Sequence, residues 1–337
     1  MTTRVLVVDD SVVVRRLVAR VIESDPTLEL AGVARDGAAA VDKTAALRPD
    51  VVVLDLEMPI LDGLGALAEI RRTQPELPII IFSHLTSDGA AATLDAIALG
   101  ATDFALKPRA DGLAMAEEFV RQELLPRIKA VAPHQAPACT ATTTSPRRSE
   151  VVSAVVIGVS TGGPNALADL VPHLPANLSV PVLIVQHMPE LFTKALAERL
   201  DRLARVPVTE GEHGQTVEAG HVYIAPGGRH LSVEGHGRLA VTDGPPVNSC
   251  RPAADVLFRS AAAVYGPGVL GLVLTGMGHD GTAGARAVRA AGGHIIVQSP
   301  RSCVVPTMPS SVVDAGLADA VVDLDNLGPE LVRRVTR

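Results

Sequence analysis

The feature that most constrains this chain is a regular alternation of short apolar runs with amphipathic stretches of helical length. Runs this short and this rich in Val, Ile and Leu are typical of parallel strands buried on both faces. The stretches Val14–Ile22, Ala38–Ala46 and Gly65–Arg72 have the periodicity of helices. The alternation therefore predicts right-handed βαβ units in a doubly wound parallel sheet. Five runs are the predicted strands of the first 130 residues: Arg4–Val8, Leu30–Ala34, Val51–Leu54, Ile79–Phe82 and Phe104–Leu106.

The alternation stops at a Pro- and Thr-rich segment and then starts again. Ala132–Ser149 has three prolines and no apolar periodicity, which is typical of a linker. We predict an α/β domain over residues 1–130, a flexible linker over 131–150 and a second α/β domain over 151–337, so that the fold class is two doubly wound parallel-sheet domains. The same pattern predicts in the second domain the strands Ala154–Val159, Val180–Val185, Val222–Ala225, Leu231–Val233, Val269–Leu274 and His294–Gln298, and the helices Ala166–His173, Ala195–Leu203, Ala253–Ala263 and Gly284–Ala291.

Charge and composition exclude several classes of protein. The formal net charge is −7, with 14 Lys and Arg against 20 Asp and Glu in residues 1–130 and 16 against 17 in residues 131–337. Neither part has the basic surface that nucleic-acid binding requires. Three Cys without a CxxC pair are typical of a reducing compartment, and no apolar run is long enough to cross a bilayer. The sequence predicts a soluble, cytoplasmic protein that neither binds nucleic acid nor inserts into a membrane.

Acidic residues and one Lys follow the predicted strands of the first domain. Asp9 and Asp10 follow the first strand, Asp55 the third, and Lys107 the fifth, and such strand ends meet at one edge of a parallel sheet. Crowded carboxylates repel one another, and a hard divalent cation relieves the repulsion. This favours a site where Asp55 accepts a phosphoryl group, Asp9 and Asp10 hold Mg²⁺, and Ser83 hydrogen-bonds the phosphate. For a single Asp, capping a helix is the simpler interpretation.

A set of short motifs in the first domain is specific in its spacing: Asp9-Asp10-Ser11, Asp55 with Met58-Pro59 and Gly63 behind it, Ser83, and Lys107-Pro108. Over roughly residues 3–125 the chain resembles the receiver domain of bacterial response regulators. The resemblance implies a flavodoxin-like fold, with Asp55 as phosphoacceptor and a histidine kinase as phosphodonor. It implies Mg²⁺ ligands and switch residues as well: Asp9, Asp10, Asp55 and the backbone carbonyl of Glu57 for the metal, and Ser83, Phe104 and Lys107 for the switch.

A Ser, a His and an Asp follow three predicted strands of the second domain. Ser160 lies beside two glycines at a strand-to-helix turn, which suits a nucleophile, a phosphate-binding loop or a helix cap. No Lys of the P-loop type follows the glycines, which weakens the nucleotide interpretation. With His187 and Asp280 at the same edge, Ser160 would form a catalytic triad. The Met277 N–H, between two glycines, would bind an oxyanion, a contribution of roughly 3–4 kcal/mol.

Five segments of the second domain are long enough to indicate a family: GVSTGGP at 158–164, QHMPELFT at 186–193, YIAPGGRHL at 223–231, RPAADVLF at 251–258 and TGMGHDG at 275–281. They resemble the catalytic domain of chemotaxis methylesterases of the CheB type, a Rossmann-like domain that follows a receiver. By position, Ser160 is the nucleophile, His187 the general base and then acid, Asp280 the orienting carboxylate and Met277 the oxyanion donor.

The resemblance implies a serine hydrolase that needs no cofactor for hydrolysis. It would remove methyl groups from glutamyl methyl esters, and deamidate glutamines, on the cytoplasmic region of methyl-accepting chemotaxis receptors. A chemotaxis histidine kinase would be the phosphodonor. The receiver is expected to block the Ser160 edge until phosphorylation of Asp55 shifts that packing. Two alternatives stay open: a hydrolase of another ester or amide, and a non-catalytic protein that binds receptors under receiver control.

Two sites depart from the family's usual pattern. Cys250 and Ala253 stand where the family more often has His and Ser, and the segment at 298–309 lacks an acidic pair and the Gly before Met-Pro. Both sites lie outside the three catalytic residues. We therefore expect these departures to affect substrate fit or domain contact rather than the chemistry, and the sequence gives Cys250 no evident base partner.

Overall fold

The chain consists of two compact units. The computed structural model describes residues 2–109, 112–132 and 151–336, and the units are Met1–Gln135 and Ala136–Arg337. Of the predicted linker over 131–150, residues 133–150 lie outside the described residues, so its flexibility stays a prediction. No helix in the described ranges is both long and apolar enough to cross a bilayer.

The first unit is a five-stranded parallel sheet with helices between its strands. Its elements are β1 (Thr3–Val8), α1 (Val12–Glu23), β2 (Leu28–Ala34), α2 (Gly37–Leu47), β3 (Val51–Leu54), α3 (Gly63–Thr73), β4 (Ile79–Ser83), α4 (Ser87–Ala98), β5 (Asp103–Leu106), α5 (Leu113–Glu123) and α6 (Leu125–Val131). The strand order is β2-β1-β3-β4-β5, which is the flavodoxin-like arrangement. All five predicted strands are present. Helices α4, α5 and α6 were not among the helices predicted from the sequence.

Short polar side chains begin four of these helices directly after strands or strand loops. The side chains of Ser11, Asp36, Asp62 and Thr86 each accept a hydrogen bond from a backbone N–H in the first turn of α1, α2, α3 and α4. Such caps satisfy N–H groups that have no partner within the helix. They make the change from strand to helix abrupt, which fixes the loops at the carboxyl edge of the sheet.

The second unit is built on a seven-stranded sheet that is parallel throughout. Its elements are β6 (Ala154–Val159), α7 (Gly163–Leu170), β7 (Val182–Gln186), α8 (Glu190–Leu203), β8 (Val208–Glu210), β9 (Val222–Ile224), β10 (His230–Glu234), β11 (Arg238–Thr242), α9 (Ala254–Tyr265), β12 (Val269–Val273), α10 (Thr282–Ala290), β13 (His294–Gln298), α11 (Thr307–Asp314), β14 (Ala320–Val322) and α12 (Leu324–Val335). The order is β14-β13-β12-β6-β7-β9-β8. The predicted fold class, two doubly wound parallel-sheet domains, is confirmed.

An antiparallel hairpin, β10 with β11, forms a separate two-stranded sheet in this unit. Its apolar side chains, including Leu231, Val233 and Leu239, belong to the same buried cluster as Leu257 and Ala261 of α9. The hairpin therefore packs its apolar face on α9, and this burial explains why the alternating run around Leu231 forms a strand without joining the main sheet.

In each sheet the strand order reverses at one point, and ligands of such sheets bind outside the carboxyl ends of the strands there. In the first sheet the reversal lies between β1 and β3. In the second it lies at β6, which pairs with β12 on one side and β7 on the other. The residues predicted to react follow these strands in both units.

Candidate active site and phosphoacceptor site

Asp9, Asp55 and Lys107 meet at the carboxyl edge of the first sheet. Lys107 Nζ lies 2.8 Å from Asp9 Oδ2 and 2.8 Å from Asp55 Oδ2, and no side chain of the three is more than 5% exposed. Backbone pairing continues through the last residue, since Asp55 N–H donates to Val8 O and Lys107 N–H to Ser83 O. The ends of β1, β3 and β5 thus hold both carboxylates against the ammonium group.

Burial and mutual attraction together shift the pKa values of Asp55 and Lys107. Burial raises the pKa of Asp55, and the charge of Lys107 only partly offsets this. Burial lowers the pKa of Lys107, but Asp55 and Asp9 raise it by more, so the pKa lies above its ordinary value. Lys107 is therefore a permanently charged partner for an anion at this site, and Asp55 is a carboxylate that gains from additional positive charge.

Asp10 adds an exposed carboxylate beside the two buried ones. One ligand oxygen from each of Asp9, Asp10 and Asp55 lies within 4.8 Å of the others. A donor set made only of oxygen, with three negative charges facing one Lys, fits a hard divalent cation such as Mg²⁺. Glu57 N–H donates to Asp55 Oδ1 at 3.4 Å, and the role of its carbonyl as a ligand stays a prediction.

The other two predicted switch residues, Ser83 and Phe104, are both buried. Ser83 Oγ makes contacts of 3.5 Å with two backbone carbonyl oxygens, which is at the outer limit for a hydrogen bond, so the hydroxyl is weakly held. The guanidinium of Arg127 lies 5.9 Å from the centroid of the Phe104 ring and pairs with Asp103 and Glu123. Arg127 belongs to α6, which the sequence pattern did not predict, so this contact was missed.

Ser160 lies at the end of β6 in a turn held by backbone hydrogen bonds. Its N–H donates to Thr275 O at 3.0 Å, and its carbonyl accepts from Gln186 Nε2 at 2.9 Å and from Gly163 N–H at 2.8 Å. The N-cap of α7 is Gly162, and no side chain caps that helix. The alternative in which Ser160 caps the helix is therefore wrong, and its hydroxyl is left for another role.

The glycines after Ser160 are required by the turn. Gly162 has φ +78°, in the left-handed region that side chains disfavour. A Cβ on Gly163 would lie 2.0 Å from Gln186 Oε1. The Gly-Gly pair thus lets the chain turn against β7 directly behind Ser160.

His187 and Asp280 form a close pair. His187 Nε2 lies 2.8 Å from Asp280 Oδ2, and the two side chains are 11% and 2% exposed. Asp280 also accepts hydrogen bonds from Ala254 N–H at 2.6 Å, from Asp255 N–H at 3.1 Å and from Asn248 Nδ2 at 3.0 Å. Because Ala254 and Asp255 begin α9, the N-terminus of that helix stabilises the carboxylate and fixes its orientation.

The pair is stable as imidazolium and carboxylate. Burial lowers the pKa of His187, but the hydrogen bonds of Asp280 and Cys250 outweigh burial and raise the pKa to about 9. Burial raises the pKa of Asp280, but His187 and the two backbone N–H groups outweigh it, so the pKa lies below its ordinary value. A His that is stabilised in its protonated form suits a base that takes up a proton during a reaction.

Cys250 lies against the other ring nitrogen, with Sγ 3.6 Å from His187 Nδ1. Our expectation that the departure at Cys250 stays clear of the chemistry is wrong on geometry, because its thiol contacts the candidate base. This partner was not visible in the sequence, since Cys250 lies 63 positions from His187 in an irregular segment. With Nε2 occupied by Asp280, Nδ1 is the nitrogen that remains to accept a proton.

Ser160 and His187 follow neighbouring strands. Val159 pairs with Gln186, and His187 N–H donates to Val159 O at 3.1 Å, so the two residues leave the sheet side by side. Within the described residues, no hydrogen bond joins Ser160 Oγ to the His187 ring. The structure therefore brings His187 and Asp280 into contact and positions Ser160 on the adjacent strand end. Catalytic hydrogen bonds are often long before substrate binds.

The loop that carries Met277 runs directly past Ser160. A Cβ on Gly276 would lie 2.7 Å from Ser160 Cβ. Gly276 N–H donates to Val305 O at 2.8 Å and Gly278 N–H to Thr307 Oγ1 at 3.0 Å. Between them, the Met277 N–H has no acceptor among the described residues, as an oxyanion donor would require before substrate binds.

Two residues that sequence reasoning missed support Asp280. Asn248 Nδ2 donates to Asp255 Oδ2 at 2.9 Å as well as to Asp280, and Asp255 Oδ1 accepts from the N–H groups of Gly281 and Gly284. Asn248 has φ +52°, a conformation that Asn tolerates better than most residues. An Asn in a short irregular segment was thus the one weak sequence signal for this residue.

Comparison with known proteins identifies the family of each unit. Residues 5–118 match the response regulator receiver domain, and residues 155–331, more than half of the chain, match the CheB methylesterase family. The chain belongs to the CheB methylesterase family. It is 48% identical to the protein-glutamate methylesterase/protein-glutamine glutaminase of a Nocardioides species, over 99% of this chain and 96% of that one. The protein of the same name from Trichodesmium erythraeum is 43% identical over 98% and 99%.

A solved structure of a methylesterase catalytic domain resembles the second unit. The Thermotoga maritima CheB methylesterase catalytic domain is 41% identical, with a TM-score of 0.53, and the match covers 55% of this chain and 99% of that domain. The predicted family and its enzyme class, a carboxylic ester hydrolase with a response-regulator receiver, are confirmed by these matches. The roles of individual residues stay predictions.

Proposed function

We propose that this chain demethylates glutamyl methyl esters and deamidates glutamines on methyl-accepting chemotaxis receptors, using Ser160, His187 and Asp280. The observation that carries the proposal is the 2.8 Å contact between His187 and Asp280 at strand ends next to Ser160. The names of the relatives support the choice of substrate. The reaction takes place in the cytoplasm, on the cytoplasmic region of the receptors.

The reaction proceeds through an acyl-enzyme. Ser160 Oγ attacks the side-chain carbonyl of the methylated glutamate while its proton passes to His187 Nδ1. The tetrahedral oxyanion accepts a hydrogen bond from the Met277 N–H. His187 then protonates the leaving methoxy oxygen, which departs as methanol. Water, deprotonated by His187, attacks the acyl group, and Ser160 is released with a free glutamate on the receptor. With a glutamine, ammonia leaves in place of methanol. Both steps use this chain's groups and water alone.

Asp280 contributes by fixing the imidazole. Its carboxylate holds the Nε2 proton, so the lone pair of the neutral ring lies on Nδ1, and it stabilises the imidazolium that forms when Ser160 is deprotonated. Three donors from Asn248, Ala254 and Asp255 keep the carboxylate from rotating away. This preorganisation keeps the His187 ring in a fixed orientation while it accepts the proton.

The receiver controls the rate through Asp55. A chemotaxis histidine kinase is the phosphodonor, and Asp55 accepts the phosphoryl group. Asp9, Asp10, Asp55 and the Glu57 carbonyl would hold Mg²⁺, which neutralises charge on the transferred group. Lys107 pairs with the phosphate after transfer. Ser83 and Phe104 respond to it as the switch, because the Ser83 hydroxyl is weakly held and free to turn.

The experiment is to follow methanol release from methylated receptor. The wild-type chain releases methanol, and Ser160→Ala reduces the rate by at least about 10⁴-fold, as removal of a triad Ser does in other hydrolases. Ser232→Ala, on β10 in the same unit, is the matched control and keeps the wild-type rate. Methanol release by Ser160→Ala at the wild-type rate would overturn the assignment of the nucleophile. Background release by the wild type would instead favour another ester or amide, or a non-catalytic role.

A further inference from the structure

The proposed reaction gives no bond-making or proton-transfer step to the Cys250 thiol, which contacts His187. Cys250 Sγ lies 3.6 Å from His187 Nδ1 and 3.4 Å from the Asn248 carbonyl oxygen, and the residue is half-buried. A thiol and an imidazole thus face each other beside the catalytic carboxylate. Sulfur and imidazole nitrogen are the donors that zinc prefers in proteins.

We infer that Cys250 Sγ and His187 Nδ1 bind a divalent cation of the zinc class, and that this cation switches the hydrolase off. Zinc bonds of about 2.0–2.1 Å to nitrogen and about 2.3 Å to sulfur, at a tetrahedral angle, separate the two ligand atoms by about 3.5–3.6 Å. The observed separation is 3.6 Å. The two side chains therefore already lie at the distance that one zinc ion requires.

The second ring nitrogen of His187 supports the same site. Zinc-binding His residues almost always donate their other N–H to a carboxylate or a carbonyl, which orients the ring. Here Nε2 lies 2.8 Å from Asp280 Oδ2, so Nδ1 faces the thiol and offers its lone pair once the ring has lost a proton. Ligand atoms of His187, Cys250 and Asp280 all lie within 4.8 Å of one another. Asp280 is thus already arranged as the supporting carboxylate.

The donor chemistry selects the cation. A thiolate and an imidazole favour zinc over Mg²⁺ and Ca²⁺, which prefer oxygen ligands such as the Asp9, Asp10 and Asp55 cluster. Cys250 releases its thiol proton and His187 its Nδ1 proton to solvent as the two bonds to zinc form, and water completes the coordination. Zinc on Nδ1 occupies the lone pair that would accept the Ser160 proton, so hydrolysis stops. This last consequence rests on the proposed function, whereas binding does not.

Binding is tested first, with Co²⁺ as a spectroscopic probe on the metal-free, untagged full-length chain. We expect a thiolate-to-cobalt charge-transfer band that saturates at one Co²⁺ per chain. The band persists in Cys303→Ser, the matched control, which removes a thiol from the same unit. It is lost in Cys250→Ser. His187→Gln keeps the thiol and should weaken Co²⁺ binding at least tenfold. Loss of binding in this second variant shows that a folding defect in Cys250→Ser is not the reason for the lost band.

Two results would overturn the site: a wild-type chain without the band, or a band of equal strength in Cys250→Ser. Neither result would contradict the proposed esterase activity, which is measured without added metal. Cobalt bound only by surface His or by the acidic cluster gives no thiolate band, so it counts against the site as well.

Inhibition is tested next by methanol release in the presence of Zn²⁺, with each variant compared with its own metal-free rate. Zinc slows the wild type and Cys303→Ser, a chelator restores the rate, and Cys250→Ser needs at least tenfold more zinc for the same loss. Mg²⁺ at the same concentration does not inhibit. Cobalt binding at Cys250 without any loss of rate on adding zinc would contradict the inhibitory role, and with it the assignment of Nδ1 as the base.

Discussion

At the scale of single residues, His187 is held between a carboxylate and a thiol, and this assigns a role to each ring nitrogen. Asp280 occupies Nε2 and Cys250 faces Nδ1. In the proposed reaction, the proton from Ser160 therefore passes to Nδ1. Because both neighbours raise the pKa of His187, to about 9, the ring is mostly charged at neutral pH and must lose a proton before it can act as a base.

The pH dependence of the metal-free enzyme follows from that shift. The pKa of His187 is raised, so the basic form dominates only above about pH 9, and kcat/KM should rise about tenfold per pH unit below it. The raised pKa of His187 also adds to the free energy of unfolding. This contribution is complete below about pH 6.5 and is lost as the pH rises through about 9. Methanol release in chelator-treated buffers, with the uncatalysed hydrolysis subtracted, measures the profile.

Cys250→Ala should move the rising limb of this profile to lower pH, because the hydrogen bond between Cys250 and His187 helps to raise the pKa of His187. Cys303→Ala is the matched control and should leave the limb in place. A kcat/KM that stays constant between pH 6 and 10, or a rising limb at the same pH in Cys250→Ala as in the wild type, would contradict this account of the base.

Asp280→Asn should lower kcat by roughly 10⁴-fold with little change in KM, because the amide cannot hold the Nε2 proton or stabilise the imidazolium. Asp243→Asn, an exposed Asp of the same unit paired with Arg229, is the control and should behave as wild type. A loss for Asp280→Asn that lies mainly in KM would indicate a substrate-binding role instead.

The catalytic candidates were predictable because each follows an apolar run that had to be a strand. Ser160 and His187 follow β6 and β7, and Asp280 lies in the loop after β12. The residues around them were not predictable, because Asn248 and Cys250 lie in an irregular segment without periodicity. Only packing in three dimensions brings that segment to the His187 ring.

At the scale of elements, close approach between loops and strand ends positions the candidate nucleophile. The loop after β12 passes so near Ser160 that a Cβ on Gly276 would lie 2.4 Å from Met308 Sδ and 2.7 Å from Ser160 Cβ. Thr307 at the start of α11 fixes this loop, since its hydroxyl donates to Gly276 O and accepts from Gly278 N–H. The segment that departs from the family's pattern thus supports the loop with the oxyanion donor.

Gly276→Ala should therefore displace Ser160 or Met277 by about 1 Å, since the new Cβ would otherwise lie 2.7 Å from Ser160 Cβ and carbon atoms pack at about 3.5–4.0 Å. We expect kcat to fall about 100-fold, which is typical of a misplacement near 1 Å, and the free energy of unfolding to fall by about 1–3 kcal/mol. Methanol release and urea unfolding measure the two effects. Gly235→Ala, in the hairpin turn with no atom within 4 Å of the new Cβ, is the matched control. Wild-type activity in Gly276→Ala would refute the close packing.

The sheet strands were predictable and several outer elements were not, for a physical reason. Fully buried strands such as β3 and β6 must be apolar along their whole length, which makes them visible in sequence. Helix α4 is rich in Ala, and β14 has three half-buried residues at the sheet edge, so neither has a strong pattern. Such elements depend on the sheet that they cover or extend.

At the scale of the whole molecule, two α/β units each have a site at the reversal point of the sheet. The division into two such domains was predictable from the repeated alternation and the Pro- and Thr-rich segment between the halves. That the receiver blocks the Ser160 edge until Asp55 is phosphorylated stays a prediction, because control depends on an equilibrium between states rather than on a motif.

Control through Asp55 is tested by a small-molecule phosphodonor with Mg²⁺. The wild-type chain should release methanol several-fold faster after treatment, and the ratio of treated to basal rate should fall to one in Asp55→Asn, which cannot accept the phosphoryl group. Asp42→Asn, an exposed Asp on α2, is the control and keeps the wild-type ratio. An undiminished ratio in Asp55→Asn would contradict the assignment of the phosphoacceptor.

The most direct test of the catalytic centre is the site and rate of labelling by a fluorophosphonate, read by peptide mass spectrometry. We predict one adduct, on the peptide that contains Ser160, absent in Ser160→Ala and at least about 100-fold slower to form in His187→Gln, where no base accepts the proton. An unlabelled Ser160, or labelling that is as fast without His187 as with it, would contradict the central claim that these residues form one hydrolytic site.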